Sequence, residues 1–392
     1  MQPTSLAAMT RVPGTKGALR IAHSVASLDD LSAGPSYSVP GLARAQAELG
    51  ARVQIHSLAG DPHHYAERLQ DLRHPPDFAS FPVLKKVGFS RSMNHALATG
   101  HLDVIHTHGL WRMVNSYCRS QTSFVIAPRG MLTPVALEFS PAKKKAFGWL
   151  SQNATFQRAA MFHATAESEY NDIRRFGLDR PIAIIPNGIN IPNIARPVST
   201  RSRRLISLGR IHPQKGLNIL LAAWADLEAT FPDWKLEIVG PDQMGHRAEL
   251  EAFARAHNLQ HVRFGDAIHG AEKERFMSSA DLFILPSRSE NFAMTVAESL
   301  AVSVPVIATR GTPWSALETH RCGWWIEQSR AEIASALRHA LSLPDEELRK
   351  MGANGQAWMR DSFSWERMAK MSLQAYEWLL GLGDLPDHVI IR

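Results

Sequence analysis

The sequence predicts an α/β protein built from two doubly wound domains, and three observations carry that prediction. Short apolar strands alternate with amphipathic helical stretches. The alternation runs twice, and a segment rich in Pro, Asn, Arg and Ser, residues 187–202, separates the two runs. Such alternation puts parallel strands in the middle and helices on both faces. Ligands of sheets of this kind sit beyond the carboxyl ends of the strands, so residues just after a strand are the candidates for chemistry.

The first run supplies candidate strands at Leu19–Ser24, Arg52–Ser57, Asp103–Thr107, Ser123–Ala127, Met161–Thr165 and Ile182–Ile185. Each is a short run of mainly aliphatic residues bounded by turn formers. Ala146, Trp149, Leu150 and Phe156 fit the buried stripe of an outer helix, with Lys143, Lys144 and Lys145 exposed and Glu138 near its start. The second run repeats the rhythm at Arg204–Leu208, Lys235–Val239, Val262–Phe264, Asp281–Leu285 and Val304–Ala308. The expected division is residues 1–192 for one domain and 203–364 for the other, with a last helix over Trp365–Leu380.

At 392 residues, 45% hydrophobic and 20% charged, the chain is long enough for two cores. No apolar run approaches bilayer-spanning length and the first residues lack a signal-peptide core, so the cytoplasm is the expected compartment. Cys118 and Cys322 are too few for a disulfide framework or a metal cluster. The net charge of +6 is uneven: residues 1–192 carry 20 Lys and Arg against 13 Asp and Glu, and the remainder 23 against 24. The basic first half suits either a solvated surface or an anionic partner such as the inner membrane face.

The most informative segment is Ser287–Ala301, in which Glu290 and Glu298 straddle a strand-to-helix junction. If Asn291 caps the helix, a rise of about 1.5 Å per residue sets the two carboxylates roughly 12 Å apart, the span of a nucleotide sugar. Free N–H groups at the helix start, around Phe292 and Ala293, then face a diphosphate. Arg210 and Lys215 follow the first strand of the second run, where a guanidinium and an ammonium both reach such a group. Gly34 follows the first strand of all and lets backbone amides approach a phosphate, although Ala33 stands beside it. His106 and His108 flank Thr107 on one face at a strand end. Arg129, after the next strand, suits a donor phosphate, an acidic acceptor or a structural carboxylate.

Taken together, these motifs resemble family 4 of the retaining glycosyltransferases, which have the GT-B fold. Gly209-Arg210 with Lys215-Gly216 resembles the family's G-R-x(4)-K-G segment, and Glu290 with Glu298 its E-x(7)-E block. Leu300–Ile307 resembles A-x-G-x-P-V-I, and Ile185–Ile189 resembles I-P-N-G-I. Ala127–Met131 and Gly311–Trp314 bring the likeness closer to transferases of bacterial exopolysaccharide and lipopolysaccharide synthesis.

The resemblance implies two Rossmann-like domains facing across a cleft, the first binding acceptor and the second a nucleoside diphosphate sugar. It implies that Glu290 holds sugar hydroxyls, Glu298 the ribose and His108 the donor sugar, and that the helix from Trp365 crosses back onto the first domain. The expected reaction moves a hexose from a GDP- or UDP-sugar to a glycan or lipid-linked acceptor with retention. No cofactor or metal is expected, since no Asp-x-Asp occurs and Arg210 and Lys215 can neutralise the diphosphate. A nucleotide-sugar epimerase of the same fold and a non-catalytic sugar-nucleotide or glycan-binding protein are the alternatives.

Overall fold

Parallel pairing decides the architecture. The computed structural model describes residues 17–29, 34–58, 68–80, 87–117, 122–192 and 203–392. The first domain contributes β1 (Arg20–Val25), β2 (Arg52–Leu58), β3 (Leu69–His74), β4 (Val104–His108), β5 (Ser123–Ala127), β6 (Met161–Ala164) and β7 (Ile182–Ile184). The second contributes β8 (Arg203–Leu208), β9 (Trp234–Val239), β10 (Val262–Gly265), β11 (Leu282–Leu285), β12 (Val306–Thr309) and β13 (Gly323–Ile326). The last strand, β14 (Val389–Ile390), returns to the first sheet and pairs antiparallel with β7. Among the described residues the sheet orders are β14-β7-β6-β5-β4-β1-β2-β3 and β10-β9-β8-β11-β12-β13.

Both sheets are buried on two faces, which is why their strands read as near-continuous apolar runs. Each sheet separates two apolar clusters, one per face. The strand order reverses between β1 and β4 in one sheet and between β8 and β11 in the other. At such a reversal the following loops part company and leave a crevice. The two crevices face each other.

Three strands escape the sequence criteria for physical reasons. β3 reads Leu-Gln-Asp-Leu-Arg-His, too polar for an apolar search, and lies at the sheet edge. β13 is a four-residue aromatic run, and β14 has two residues whose pairing only the returning chain end supplies.

The expected buried stripe is overturned. Phe156 is buried, but Trp149 is 82% and Leu150 71% exposed, and Ala146 is exposed as well. The helix Pro141–Phe147 passes into a wider i→i+5 turn over Gly148–Gln152, which adds a residue and rotates everything beyond it. Gln152 turns inward instead and accepts the Trp111 N–H at 3.0 Å. A pattern projected at 3.6 residues per turn cannot anticipate that rotation.

The helix Trp365–Leu379 lies on the helix Pro35–Glu48 of the first domain, with Met368, Ala369, Ala375 and Tyr376 joining its core. Its entry is pinned twice. Ile189 donates its N–H to the Phe363 carbonyl at 2.8 Å, and the Trp365 indole fills the space that a Cβ on Gly41 or Gly188 would occupy. Gly188→Ala should therefore cost about 1–3 kcal/mol through overpacking, and Trp365→Leu in the same chain should recover only part of it, since the added Cβ also lies 2.9 Å from the Trp365 Cα. Urea midpoints measure both, and an unchanged midpoint in Gly188→Ala would contradict the wedge.

Candidate active site

A cleft of about 640 Å³ lies between the two sheets, and the residues singled out from sequence converge on it. Gly34 and Arg129 line it from the first domain; Arg210, Lys215, Glu290, Asn291, Phe292, Ala293 and Glu298 line it from the second. His108 does not reach it.

The second domain's wall is made by the turns after β8 and β11, the two strands at the order reversal. Lys215 closes the short turn Pro213–Lys215, and its Nζ lies 2.5 Å from Glu290 Oε1, with both side chains mostly buried. Gly216 holds φ +67 there, and a Cβ on it would strike the Pro286 carbonyl, so the Lys-Gly pair needs its glycine. Gln214 donates to the Ser289 carbonyl at 3.0 Å and Glu290 N–H to the Gly311 carbonyl at 2.7 Å. These bonds tie the two turns into one surface.

Asn291 is not the helix cap. The helix begins at Met294, preceded by Ala293 at φ +62, a left-handed conformation costly for a residue with a Cβ. Phe292 is packed edge-on against Trp314 at 5.2 Å between centroids, and Trp314 Nε1 donates to the Phe292 carbonyl at 2.6 Å. Buried aromatic packing thus holds the loop in a form its local preference opposes. Asn291 sits opposite Gly130, whose added Cβ would lie 2.8 Å from Asn291 Cβ, so the domains touch here. The buried Asn291 Oδ1 has no hydrogen-bond partner among the described residues.

Two further residues complete the wall without a readable signal. Lys273 pairs with the Glu298 carboxylate at 2.6 Å and sits 5.4 Å above the Tyr37 ring of the other domain. Tyr37 OH lies 3.3 Å from His269 Nδ1, and its pKa is raised by burial and by the Glu298 charge. In sequence, Lys273 is one cation among Glu272, Glu274 and Arg275 and reads as solvated.

On the first domain's wall, Gly34 begins a helix with φ −52, a conformation open to any residue, so no backbone requirement singles it out. Ser32 and Ala33 lie outside the described residues. Arg129 carries φ +56 and is fixed from three sides. Its Nη1 donates to Asn187 Oδ1 at 2.8 Å, its Nη2 to His108 Nδ1 at 2.9 Å, and the next N–H, of Gly130, to the buried Glu169 carboxylate at 2.6 Å. Burial pulls the guanidinium pKa down to about 10 against the opposing Glu169 charge, which leaves it charged at neutral pH.

His108 is the correction at this wall. It is 2% exposed and lies beneath Arg129, bonded to His23 Nδ1 at 2.9 Å, so it supports a cleft residue instead of touching a sugar. His106 lies deeper still, with His163 and Tyr376 as partners.

The charge balance of the cleft follows. Each carboxylate, Glu290 and Glu298, is matched by a lysine, while among the described residues Arg129 and Arg210 hydrogen-bond only neutral groups; Arg210 Nη1 donates to Gln243 Oε1 at 3.2 Å. The pocket therefore carries a surplus of positive charge, at Arg129 and Lys144 on one wall and Arg210 on the other. Such a surplus favours anionic ligands in the cleft.

A family model described as "Glycosyltransferase Family 4" matches residues 34–192, and one described as "Glycosyl transferases group 1" matches residues 194–358. Between them they leave only the two ends and residue 193. The chain belongs to the family 4 glycosyltransferases. A D-inositol 3-phosphate glycosyltransferase of Segniliparus rotundus is 33% identical over 194 residues, 47% of this chain and 42% of that protein, so the chain spans less than half of that relative's length. The solved sucrose-phosphate synthase of Thermosynechococcus elongatus superposes with a TM-score of 0.77 at 19% identity, covering 92% of this chain and 99% of that one. The Anabaena protein HepE, solved with UDP and glucose, superposes at 0.70 with 18% identity over 91% and 99%. At these identities the superpositions establish the GT-B fold.

The histidines beneath Arg129 set the acid limit of the family member described here. Burial lowers the pKa of His23 to about 4 and of His163 to about 3, with Arg129 adding to both shifts, and it holds His106 and His108 well below the usual value. Their folded values lie below the unfolded value of about 6.5, so the unfolded chain takes up protons that the fold refuses. Their contribution is complete above pH 6.5 and is lost as pH falls toward 4. Each such histidine adds about 1.4 kcal/mol per pH unit to the slope. Urea unfolding between pH 7.5 and 5 should show stability falling steeply below 6.5, and a flat profile would contradict neutral burial.

Proposed function

We propose that the protein is a retaining glycosyltransferase that moves a hexose from a nucleoside diphosphate sugar to a hydroxyl of a glycan or lipid-linked acceptor in bacterial surface polysaccharide synthesis. The observation that carries this reading is the cation surplus of the cleft, with Arg210, beside the Lys215–Glu290 pair, on the wall after β8 and Arg129 on the opposite wall after β5. The co-crystallised UDP and glucose of the Anabaena neighbour and the glycosyltransferase name of the Segniliparus relative support it.

In this reading the diphosphate lies against Arg210 and Lys215, and Glu298 takes the ribose hydroxyls. As the bond between the anomeric carbon and the phosphate oxygen breaks, negative charge grows on the leaving diphosphate, where the two cations stabilise it. The acceptor oxygen forms the new bond on the same face and gives its proton to a phosphate oxygen. Glu290, held by Lys215, orients sugar hydroxyls. The charge of Arg210 and Lys215 serves in place of a divalent cation. The first wall, with Arg129, receives the acceptor, and closure excludes water that would hydrolyse the donor.

Arg210→Ala and Lys215→Ala should each lower kcat about a hundredfold or more, with melting unchanged in Arg210→Ala and lowered in Lys215→Ala, which leaves the Glu290 carboxylate unpaired, and activity should persist in EDTA. Glu290→Gln should also act on turnover, and Glu298→Gln mainly on nucleotide affinity. Nucleotide release measured with and without acceptor checks the class: release that needs acceptor supports transfer. Interconversion of the donor sugar without release would show an epimerase. Normal turnover in both cation variants would remove the donor site.

The outer surface near Trp149 and Leu150 supports a place of work. Those two side chains and Phe139 stand exposed beside the exposed Lys143 and Lys145, an apolar and basic face that suits an anionic leaflet. No described helix is long and apolar enough to cross a membrane. Sedimentation with phosphatidylglycerol vesicles should fall with salt, with Lys143 and Lys145 changed to Gln, and with Trp149→Ser. Absence of binding at low salt would leave a soluble acceptor.

A further inference from the structure

His23, His106, His108 and His163 share one face of the first sheet. β1, β4 and β6 run in parallel register, with His23 opposite His106, and the face is covered by the helices Pro35–Glu48 and Trp365–Leu379. Four imidazoles in one core are unusual, since each brings a donor and an acceptor that burial leaves costly if unpaired.

The hydrogen atoms can be placed from the ends of the network inward. A guanidinium has only donors, so His108 Nδ1, 2.9 Å from Arg129 Nη2, is the bare nitrogen and the ring proton sits on Nε2. That proton faces His23 Nδ1 at 2.9 Å, which must accept, so the His23 proton sits on Nε2 and goes to Gln46 Oε1 at 2.7 Å. The Gln46 amide is thereby oriented. Its Nε2 donates to Ser372 Oγ at 2.8 Å, and Ser372 donates to the Ala369 carbonyl at 2.8 Å, both on the C-terminal helix.

A second chain runs beside the first with the same polarity. The Ile185 carbonyl only accepts, so His163 carries its proton on Nε2, 2.7 Å away. His163 Nδ1 accepts from His106 Nε2 at 3.2 Å, and His106 Nδ1 accepts from Tyr376 OH at 2.7 Å. Ring nitrogens of His23, His106 and His108 lie within 4.8 Å of one another, a spacing that could suit a metal. Yet every one of those nitrogens is used in one direction in this scheme, and Arg129 lies against the cluster, so the arrangement suits neutral rings and not a cation.

We propose that His23 and Gln46 are positioning residues of the active site: by accepting the His108 Nε2 proton they hold that ring under Arg129 and Arg129 in the cleft, and through Ser372 they anchor it to the C-terminal helix. Only the Nε2–H form of His108 offers Arg129 a lone pair. Without an acceptor at His23 the buried His108 Nε2–H is left unpaired, the ring turns to find a partner, and Arg129 loses the lone pair that holds it in the cleft. Its backbone stays put, because Glu169 holds Gly130. This proposal rests on the transferase reading for its kinetic consequence alone.

Imidazole ¹⁵N spectra of the histidine-labelled protein at pH 7.5, assigned by single substitutions, test the tautomers directly. His23, His106, His108 and His163 should all be neutral with the proton on Nε2. His23→Asn keeps an oxygen acceptor where Nδ1 stood; His108 should keep its tautomer and kcat should stay within a few-fold of wild type. His23→Leu removes the acceptor; the His108 Nε2–H should lose its hydrogen bond, read as a shifted Nε2 resonance, and kcat should fall about a hundredfold, the order expected for a misplacement of about 1 Å, with nucleotide Kd unchanged because the other domain holds the nucleotide. Wild-type His108 protonated on Nδ1 would overturn the proposal, as would normal turnover in His23→Leu or loss of turnover in His23→Asn with His108 unchanged. If the wild type transfers no sugar, the functional reading falls and the spectra alone decide the tautomer chain.

Discussion

The ion pair between Lys215 and Glu290 is the interaction on which the donor wall depends. It joins the turn after β8 to the loop after β11 at 2.5 Å, across the point where the strand order reverses. Taking two charges out of water costs more than their attraction returns unless other bonds support them. The loops that carry them are tied together: Gln214 and the Glu290 N–H bind backbone carbonyls of the neighbouring loops. A pair of this kind suits a binding site better than a core. It keeps an ammonium poised and charged until an anion arrives to share it.

The opposite wall solves the same problem by different means. Among the described residues Arg129 has no carboxylate in direct contact and is steadied by neutral partners, Asn187 and His108. Neutral partners fix a guanidinium without cancelling its charge, so the charge remains available to the cleft. The cost is moved inward, to Glu169 beneath the Gly130 N–H and to the histidines behind His108. Because those histidines touch Gln46 and Tyr376, the helix that returns from the second domain becomes part of the first domain's wall. The Trp365 wedge and the His108 chain therefore act on the same element at different points along it.

The loop Asn291–Ala293 shows how tertiary packing overrides local preference. Ala293 in a left-handed conformation would not be chosen by the segment alone. Trp314, buried from a distant turn, holds the Phe292 carbonyl and ring, and this frees Asn291 to face Gly130 across the cleft. The Gly311–Trp314 segment thus serves the site without entering it.

By itself the sequence determined the two parallel sheets, the strand ends and the convergence of Arg210, Lys215, Glu290 and Glu298, because alternating apolar runs and short motifs are local and their physics is local. It could not determine that Asn291 is no cap, that Trp149 and Leu150 face outward, or that His108 lies under Arg129. The first depended on packing from Trp314, and the second on one extra residue in an i→i+5 turn. The third depended on β1, β4 and β6 bringing four histidines, far apart in the chain, onto one face. Hydrogen-bond direction within that face is a property of the whole network, since each ring's proton is set by its neighbour's. Only the tertiary structure, which supplies a guanidinium at one end and a carbonyl at the other, decides it.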